Sequence, residues 1–360
     1  MPPRVVSIPL PASGEVSAWR DLASRAAEPN PFFEPEFVEA AVTYLEPAGV
    51  SLLVVREGYD WIGCLPVRPA RLGGLLSWRH PYCFLGTPLV DRDRAEPALA
   101  ALLEHACRAQ RSGMLMLDQV ADGPALAAAR DAAAGLDVDV VFETAHERAA
   151  LRRRDEPTYT EGMRAHRRRE LQRMTRRLEE ELEAPLEVED RAGQPGSVEK
   201  FLEIEASGWK GEAGTALGSA RGHAAFFSEV CKGFAASGRL QLLALAAGGR
   251  TVAMKCNLAA GDELFCFKIG HDSDLRRYSP GVQLEKANVE VFHDQREERL
   301  MDSCADPANE MINRLWPDRR TIANLVLSRN GARGAVARQA LRAVNAVRTA
   351  RKRRTASISS

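Results

Sequence analysis

Three apolar runs, Leu240 to Ala246, Thr251 to Leu258 and Leu264 to Ile269, follow one another with Gly248-Gly249 and Gly261-Asp262 in the breaks. Runs this short, bounded by glycine, suit strands joined in a meander by tight hairpins. The chain then turns through Tyr278-Ser279-Pro280-Gly281 into a helical pattern at 281–293 and returns to a strand-like Arg299 to Asp302. A sheet interrupted by helices must be covered by them, so the expected class is α/β (α+β): a mixed, mainly antiparallel central sheet flanked by helices.

The first half reads in the same way. A strand at Val5 to Leu10 and a helix at 16–27 precede the turn Asn30-Pro31-Phe32-Phe33-Glu34-Pro35, and a second helix runs to about Tyr44. Ser51 to Val55 and Trp61 to Val67 form a hairpin pattern around Glu57-Gly58-Tyr59-Asp60. A helix at 95–110, a strand at Met114 to Val120, a helix at 123–134 and a strand at Val138 to Phe142 follow, and Thr321 to Leu327 reads as a last strand. With 360 residues the chain is long enough for two cores. The expected division is 1–182, 183–328 and a basic C-terminal helix and tail at 329–360.

Charge locates the boundary. The chain balances 49 Lys and Arg against 49 Asp and Glu, which excludes a uniformly basic nucleic-acid binder. The balance is uneven along the sequence: residues 148–177 hold eleven Arg and four acids, 179–190 hold seven acids, and 329–354 hold nine Lys or Arg and no acid. Leu171, Met174, Leu178 and Leu182 recur at helical spacing within an expected helix at 160–182, beneath an Arg-rich face. In the last helix Val336, Ala340, Val344 and Val347 oppose Arg338, Arg342, Arg348 and Lys352. Either basic face is a solvated surface or a contact for RNA phosphates, and the last helix could equally meet anionic lipid or an acidic partner.

Seven scattered cysteines with no CxxC pair suggest buried thiols and no metal site. The N-terminus lacks the apolar core of a signal peptide and no run approaches a transmembrane length, so a cytoplasmic location is the expectation.

Ser279-Pro280-Gly281 joins a preferred N-cap, a preferred first helical residue and a residue that admits close approach. A helix that starts this way directly after a strand suits a phosphate as well as an ordinary cap.

Taken in order, Gly208-Trp209-Lys210-Gly211, Val252-Ala253-Met254, Phe265 to Asp272, Tyr278 to Leu284 and Met301-Asp302-Ser303-Cys304 resemble the CelD/BcsL-type branch of the GNAT acyltransferases. Asn30-Pro31-Phe32-Phe33 and the helix Arg164 to Leu178 resemble the first half of such proteins, which pair two GNAT-like domains as the Fem-type aminoacyl transferases do. The resemblance implies acyl transfer from acetyl-CoA or another acyl-CoA to an amine of a small molecule or sugar, in a direct ternary complex and with no metal. It places the thioester arm along Phe267, Lys268 and Ile269, and the pyrophosphate at Ser279, Pro280, Gly281 and Gln283. Arg276 and Arg277 stand where the family has a glycine-rich turn and would complement phosphates by charge. Asp302, His271 and Glu205 are the candidate bases. Trp209 and Lys210 are candidates to line the acceptor cleft, and Cys304 offers an acyl-Cys route if its thiol is activated. The alternatives are an aminoacyl-tRNA-dependent Fem-like transferase and a non-catalytic binding module.

Overall fold

The computed structural model describes residues 1–12, 14–45, 49–70, 74–109, 113–154, 165–207, 217–219, 221–329 and 339. The first half runs β1 (Arg4–Pro9), α1 (Val16–Ser24), α2 (Pro35–Tyr44), β2 (Ser51–Glu57), β3 (Asp60–Pro69), β4 (Leu75–Ser77), β5 (Leu89–Val90), α3 (Ala95–Ala109), β6 (Met114–Ala121), α4 (Pro124–Gly135) and β7 (Val138–Arg152). The second runs α5 (Ala165–Leu182), β8 (Glu187–Asp190), α6 (Ser197–Ser207), α7 (His223–Ala236), β9 (Leu240–Ala247), β10 (Arg250–Ala260), β11 (Glu263–His271), α8 (Pro280–Gln295), β12 (Leu300–Asp302), α9 (Glu310–Leu315) and β13 (Asp318–Arg329).

The expected meander is present as β9, β10 and β11, paired antiparallel as its glycine turns dictate. All strands join one mixed sheet in the order β1-β2-β3-β4-β6-β13-β7-β12-β11-β10-β9-β8, with β5 beside β3. Two pairs are parallel, β4 with β6 and β11 with β12. Each is bridged by a helix, α3 or α8, because a hairpin cannot join parallel neighbours. The flanking helices and largely antiparallel sheet are those of the expected class.

Two features tie the halves together. Strand β7 is longer than the expected 138–142, because Val138 to Ala150 pair with β13 and Ala150 to Arg152 pair with β12. Strand β13, late in the sequence, lies between β6 and β7 of the first half. Across the joint, Phe32 and Phe37 pack on Phe265, Phe267 and Phe226, with Phe37 and Phe226 edge to face at 5.3 Å. Helix α5 buries Leu171 and Leu178 and exposes Arg173, Arg176 and Arg177. The basic C-terminal helix expected after residue 329 lies outside the described residues, apart from residue 339.

Candidate functional site

The second half contains a place where the sheet separates. Strand β12 pairs Leu300, Met301 and Asp302 with Glu263, Leu264 and Phe265 and then ends. Strand β11 continues to His271, and among the described residues no strand continues on that side of it. On its other side the register with β10 shifts between Cys256 and Asn257, leaving Phe267 as an extra residue. A bulge of this kind re-aims the side chains that follow it. Leu264 and Cys266 belong to one small core, whereas Phe265 and Phe267 belong to the main aromatic core. Past the bulge Lys268 turns to the aromatic side, its Nζ 3.9 Å from the centre of the Tyr82 ring. Ile269 packs instead with Leu284 of α8.

Beyond β11 the chain makes a short turn of 3-10 helix at Ser273–Tyr278 and enters α8. Ser279 occupies the N-cap position, but its side chain makes no cap; the backbone is left-handed there, with φ 52°. The turn is tied instead by Gln283, whose Nε2 donates to the Tyr278 carbonyl at 2.8 Å. Pro280 has no N–H to satisfy, and the Gly281 N–H finds no partner among the described residues. His271 lies against this start, its Nδ1 3.4 Å from the point a Gly281 side chain would occupy. An open groove of 530 Å³ separates this turn from α5, lined by Arg173, Met174, Arg177, Glu181, Arg277 and Tyr278 among others. Arg277 and the Tyr278 hydroxyl both donate to Glu181, at 2.8 and 2.6 Å, and hold its carboxyl below the usual range, the tyrosine contributing most. Arg173 and Arg177 have no ion-pair partner among the described residues, and Arg276 is exposed. With Glu180 also on its wall, the groove sets three guanidiniums against two carboxylates.

At the aromatic side of β11 four polar groups meet. Tyr82 Oη and His223 Nδ1 share a hydrogen bond of 2.8 Å, and the Lys268 ammonium covers the Tyr82 ring. Glu205, buried on α6, accepts from the Leu217 N–H at 2.8 Å, and its backbone packs against Gly270. Burial, and then the Glu205 carboxylate, push the Tyr82 hydroxyl upward, so it keeps its proton at neutral pH. Burial, and then Lys268, lower His223, so its imidazole is neutral. The cluster thus combines a carboxylate, a protonated phenol, a neutral imidazole and an ammonium. Sequence reading supplied Glu205 and Lys268 but passed over Tyr82 and His223, which stand 141 residues apart. The density of rings in Trp78-Arg79-His80-Pro81-Tyr82 was the available signal.

Residues 165–296, from α5 to the end of α8, match the model of an acetyltransferase (GNAT) domain. The match is confined to this stretch, which is similar to a GNAT domain. Solved structures resemble the whole chain: FemX at 9% identity, covering 89% of this chain and 96% of that one with a TM-score of 0.55; a conserved protein of unknown function from Bacteroides thetaiotaomicron at 10%, 86% and 97%, TM-score 0.54; and L-PGS from Bacillus licheniformis at 10%, 88% and 91%, TM-score 0.53. At these identities the likeness establishes a shared fold, and its coverage extends that fold to both halves. None of the curated proteins matches the chain in sequence.

The other expected site residues lie in different settings. Asp302 is fully buried at the joint, where Arg148 and Arg320 approach to 2.6 and 3.1 Å and the Cys304 N–H donates to it. Burial alone would raise its carboxyl, but the two guanidiniums outweigh it and hold the group ionised. Glu263 and Glu28 continue this ion cluster through Arg320. Such a carboxylate joins β12 to β7 and β13. All seven cysteines are buried free thiols, and burial followed by Asp302 raises Cys304 well above the ordinary range, which removes the activated thiol an acyl-Cys route needs. Phe267 is a core residue through its ring. Trp209 and Lys210 lie outside the described residues. Among the described residues no three His, Cys, Asp or Glu gather as metal ligands would, and no helix is long and apolar enough to cross a membrane.

Proposed function

We propose that the protein transfers an acyl group from acetyl-CoA or another acyl-CoA to the amine of a small molecule or sugar in one ternary complex, as a member of the CelD/BcsL-type branch of the GNAT enzymes. The observation that carries this reading is the run of β11 past the end of β12 into a helix start whose Gly281 N–H has no partner among the described residues, beside a groove lined by three arginines. A strand edge, a helix N-terminus and guanidiniums in that order suit an amide-bearing arm that ends in phosphates. Residues 267–269 would lie beside the arm, Ser279, Pro280 and Gly281 at the pyrophosphate, and Arg173, Arg177 and Arg277 around its outer charge. Gln283 acts by holding the turn, and Arg276 by adding positive charge.

Glu205 is the base that takes a proton as the acceptor nitrogen bonds to the acyl carbon. Tyr82, kept protonated by its surroundings, donates to the departing sulfur as the carbon–sulfur bond breaks. Lys268 places positive charge where negative charge develops. The proton gained by Glu205 restores Tyr82, whose hydroxyl it already influences, and neutral His223 holds that hydroxyl in place. His271 supports the helix start, and Trp209 and Lys210 belong to the acceptor side.

Titration calorimetry of the full chain with acetyl-CoA and longer acyl-CoAs tests this directly. Saturable heat with at least one of them is expected; no heat with any overturns the reading. The likeness to FemX over both halves and the basic outer face of α5 favour a second reading, in which RNA carries the acyl donor. RNA binding that weakens steeply with salt, without acyl-CoA binding, would support it.

A further inference from the structure

At the opposite end of α7 from His223 lies a hollow of 640 Å³, bordered by α1, the start of α2, the end of α7 and the turn between β10 and β11. Helix α7 has 14 residues, so the two places are separated by about 20 Å. The hollow shares no residue with the proposed transfer site. Its volume falls in the range of small-metabolite pockets, roughly 300–1,000 Å³.

Its charges are built in pairs. Arg20 Nε donates to Glu36 Oε1 at 2.6 Å, and Arg239 Nη1 to Glu34 Oε2 at 2.5 Å. The carboxylates are buried, with Glu36 and Glu34 side chains 3% and 4% exposed, while Arg20 is 59% exposed and Arg239 28%. Glu36 Oε2 has no hydrogen bond among the described residues, and Arg239 Nη2 pairs with it only at 3.7 Å. A buried acceptor left unmade costs about 1–3 kcal/mol. Gly233 shows that the sequence accommodates this carboxylate: a side chain there would meet Glu36 Cγ at 2.9 Å. Glycine inside a helix costs about 1 kcal/mol relative to alanine, a loss that keeps Glu36 in place.

We infer that this hollow binds a small zwitterion of the free amino-acid class, its ammonium hydrogen-bonded to Glu36 Oε2 with Glu34 nearby and its carboxylate on the Arg20 guanidinium. A simple cation would meet Arg20 and Arg239 with nothing to offer them, and a simple anion would meet two carboxylates. A ligand with both charges satisfies the orphaned acceptor and the exposed guanidinium together. The remaining volume receives the side chain.

The test is titration calorimetry of the full chain with each common free L-amino acid, followed by the decarboxylated amine and the N-acetyl derivative of whichever binds. At least one amino acid should bind with a Kd below about 1 mM, and both derivatives should bind at least about tenfold more weakly. Glu36→Gln keeps the acceptor for Arg20 but replaces the free oxygen by a donor, and Arg20→Gln alters an exposed side chain; each should raise Kd about tenfold. Thermal unfolding of both variants serves as the control for folding, and Arg20→Gln decides the matter if Glu36→Gln is unstable. No heat from any amino acid up to about 10 mM overturns the inference. So does unchanged affinity in Arg20→Gln, or an amine that binds as tightly as its parent amino acid.

Discussion

The two halves of the sheet share one device, a parallel strand pair crossed by a helix, and use it in opposite ways. In the first half β6 outruns β4, and its edge is filled by the chain itself: Ser77 accepts from the Asp118 N–H, Gly86 donates to Gln119 and Thr87 accepts from the Ala121 N–H. Asn30 fastens this segment through the Leu85 and Thr87 carbonyls. In the second half β11 outruns β12, and no described strand closes that side. A repeated topology thus yields one sealed joint and one candidate binding edge, and the difference lies in a few residues that satisfy backbone groups. Tyr82 marks the link, because the segment that seals the first half also carries the phenol that reaches the second.

The largest expected effect separates two carboxylates. Glu205→Gln should lower kcat by about 10²–10³-fold with little change in acyl-CoA affinity, measured by steady-state kinetics and calorimetry. Asp302→Asn, in the ion cluster of the joint, should instead cost about 3 kcal/mol of stability in denaturant unfolding while leaving kcat within about threefold. The reverse pattern would make Asp302 the base.

The sealed gap has its own test. A side chain at Gly86 would stand 2.1 Å from the Asp118 carbonyl oxygen, so Gly86→Ala should cost about 3 kcal/mol in unfolding measurements. At Gly270 the added atom meets the Glu205 Cα at 2.9 Å, and Gly270→Ala should lose about tenfold in turnover by displacing that carboxylate. Equal stability losses at both glycines would break the contrast between the gaps.

Next in size is a pH effect in the sealed half. Burial pushes Glu28 from 4.5 to about 7, opposed by the Ala125 N–H and Arg320. Between those values the folded protein holds a proton that the unfolded chain has released, so raising the pH lowers stability. Glu34 is raised to the same value by burial, so Glu28→Gln should make the loss between pH 4.5 and 7 smaller by about 2 kcal/mol without abolishing it, as read from denaturant midpoints.

The smallest effect concerns the open side. Arg177→Gln with Arg277→Gln should weaken acyl-CoA binding about tenfold and flatten its dependence on salt, because both guanidiniums border the groove beside α8. Unchanged binding would move the phosphates away from that groove.

Much of the fold was legible because local chemistry and tertiary demand agree. Glycine turns set the meander of β9 to β11, proline set the first residue of α8, and the apolar positions of α5 turned inward. The exceptions have one cause. The full length of β7 depends on β12 and β13, which lie more than 140 residues away, and no local pattern records a partner at that distance. The site divides along the same line. Glu205, Lys268 and the start of α8 stand on elements with clear periodicity, whereas Tyr82 and His223 become functional candidates only through contact with each other. For Asp302 the sequence shows the carboxylate and not the two arginines that enclose it, which come from β7 and β13.

By itself, then, the sequence determined the element order, the covered sheet, the turn into α8 and the basic face of α5, since each follows from side-chain periodicity, glycine and proline within a few residues. Only the tertiary structure decided which parallel pair is closed, which carboxylate stands beside a protonatable phenol, and which is locked between guanidiniums. Those outcomes depend on desolvation and on charges brought together from distant segments, and both come into being only when the sheet is assembled.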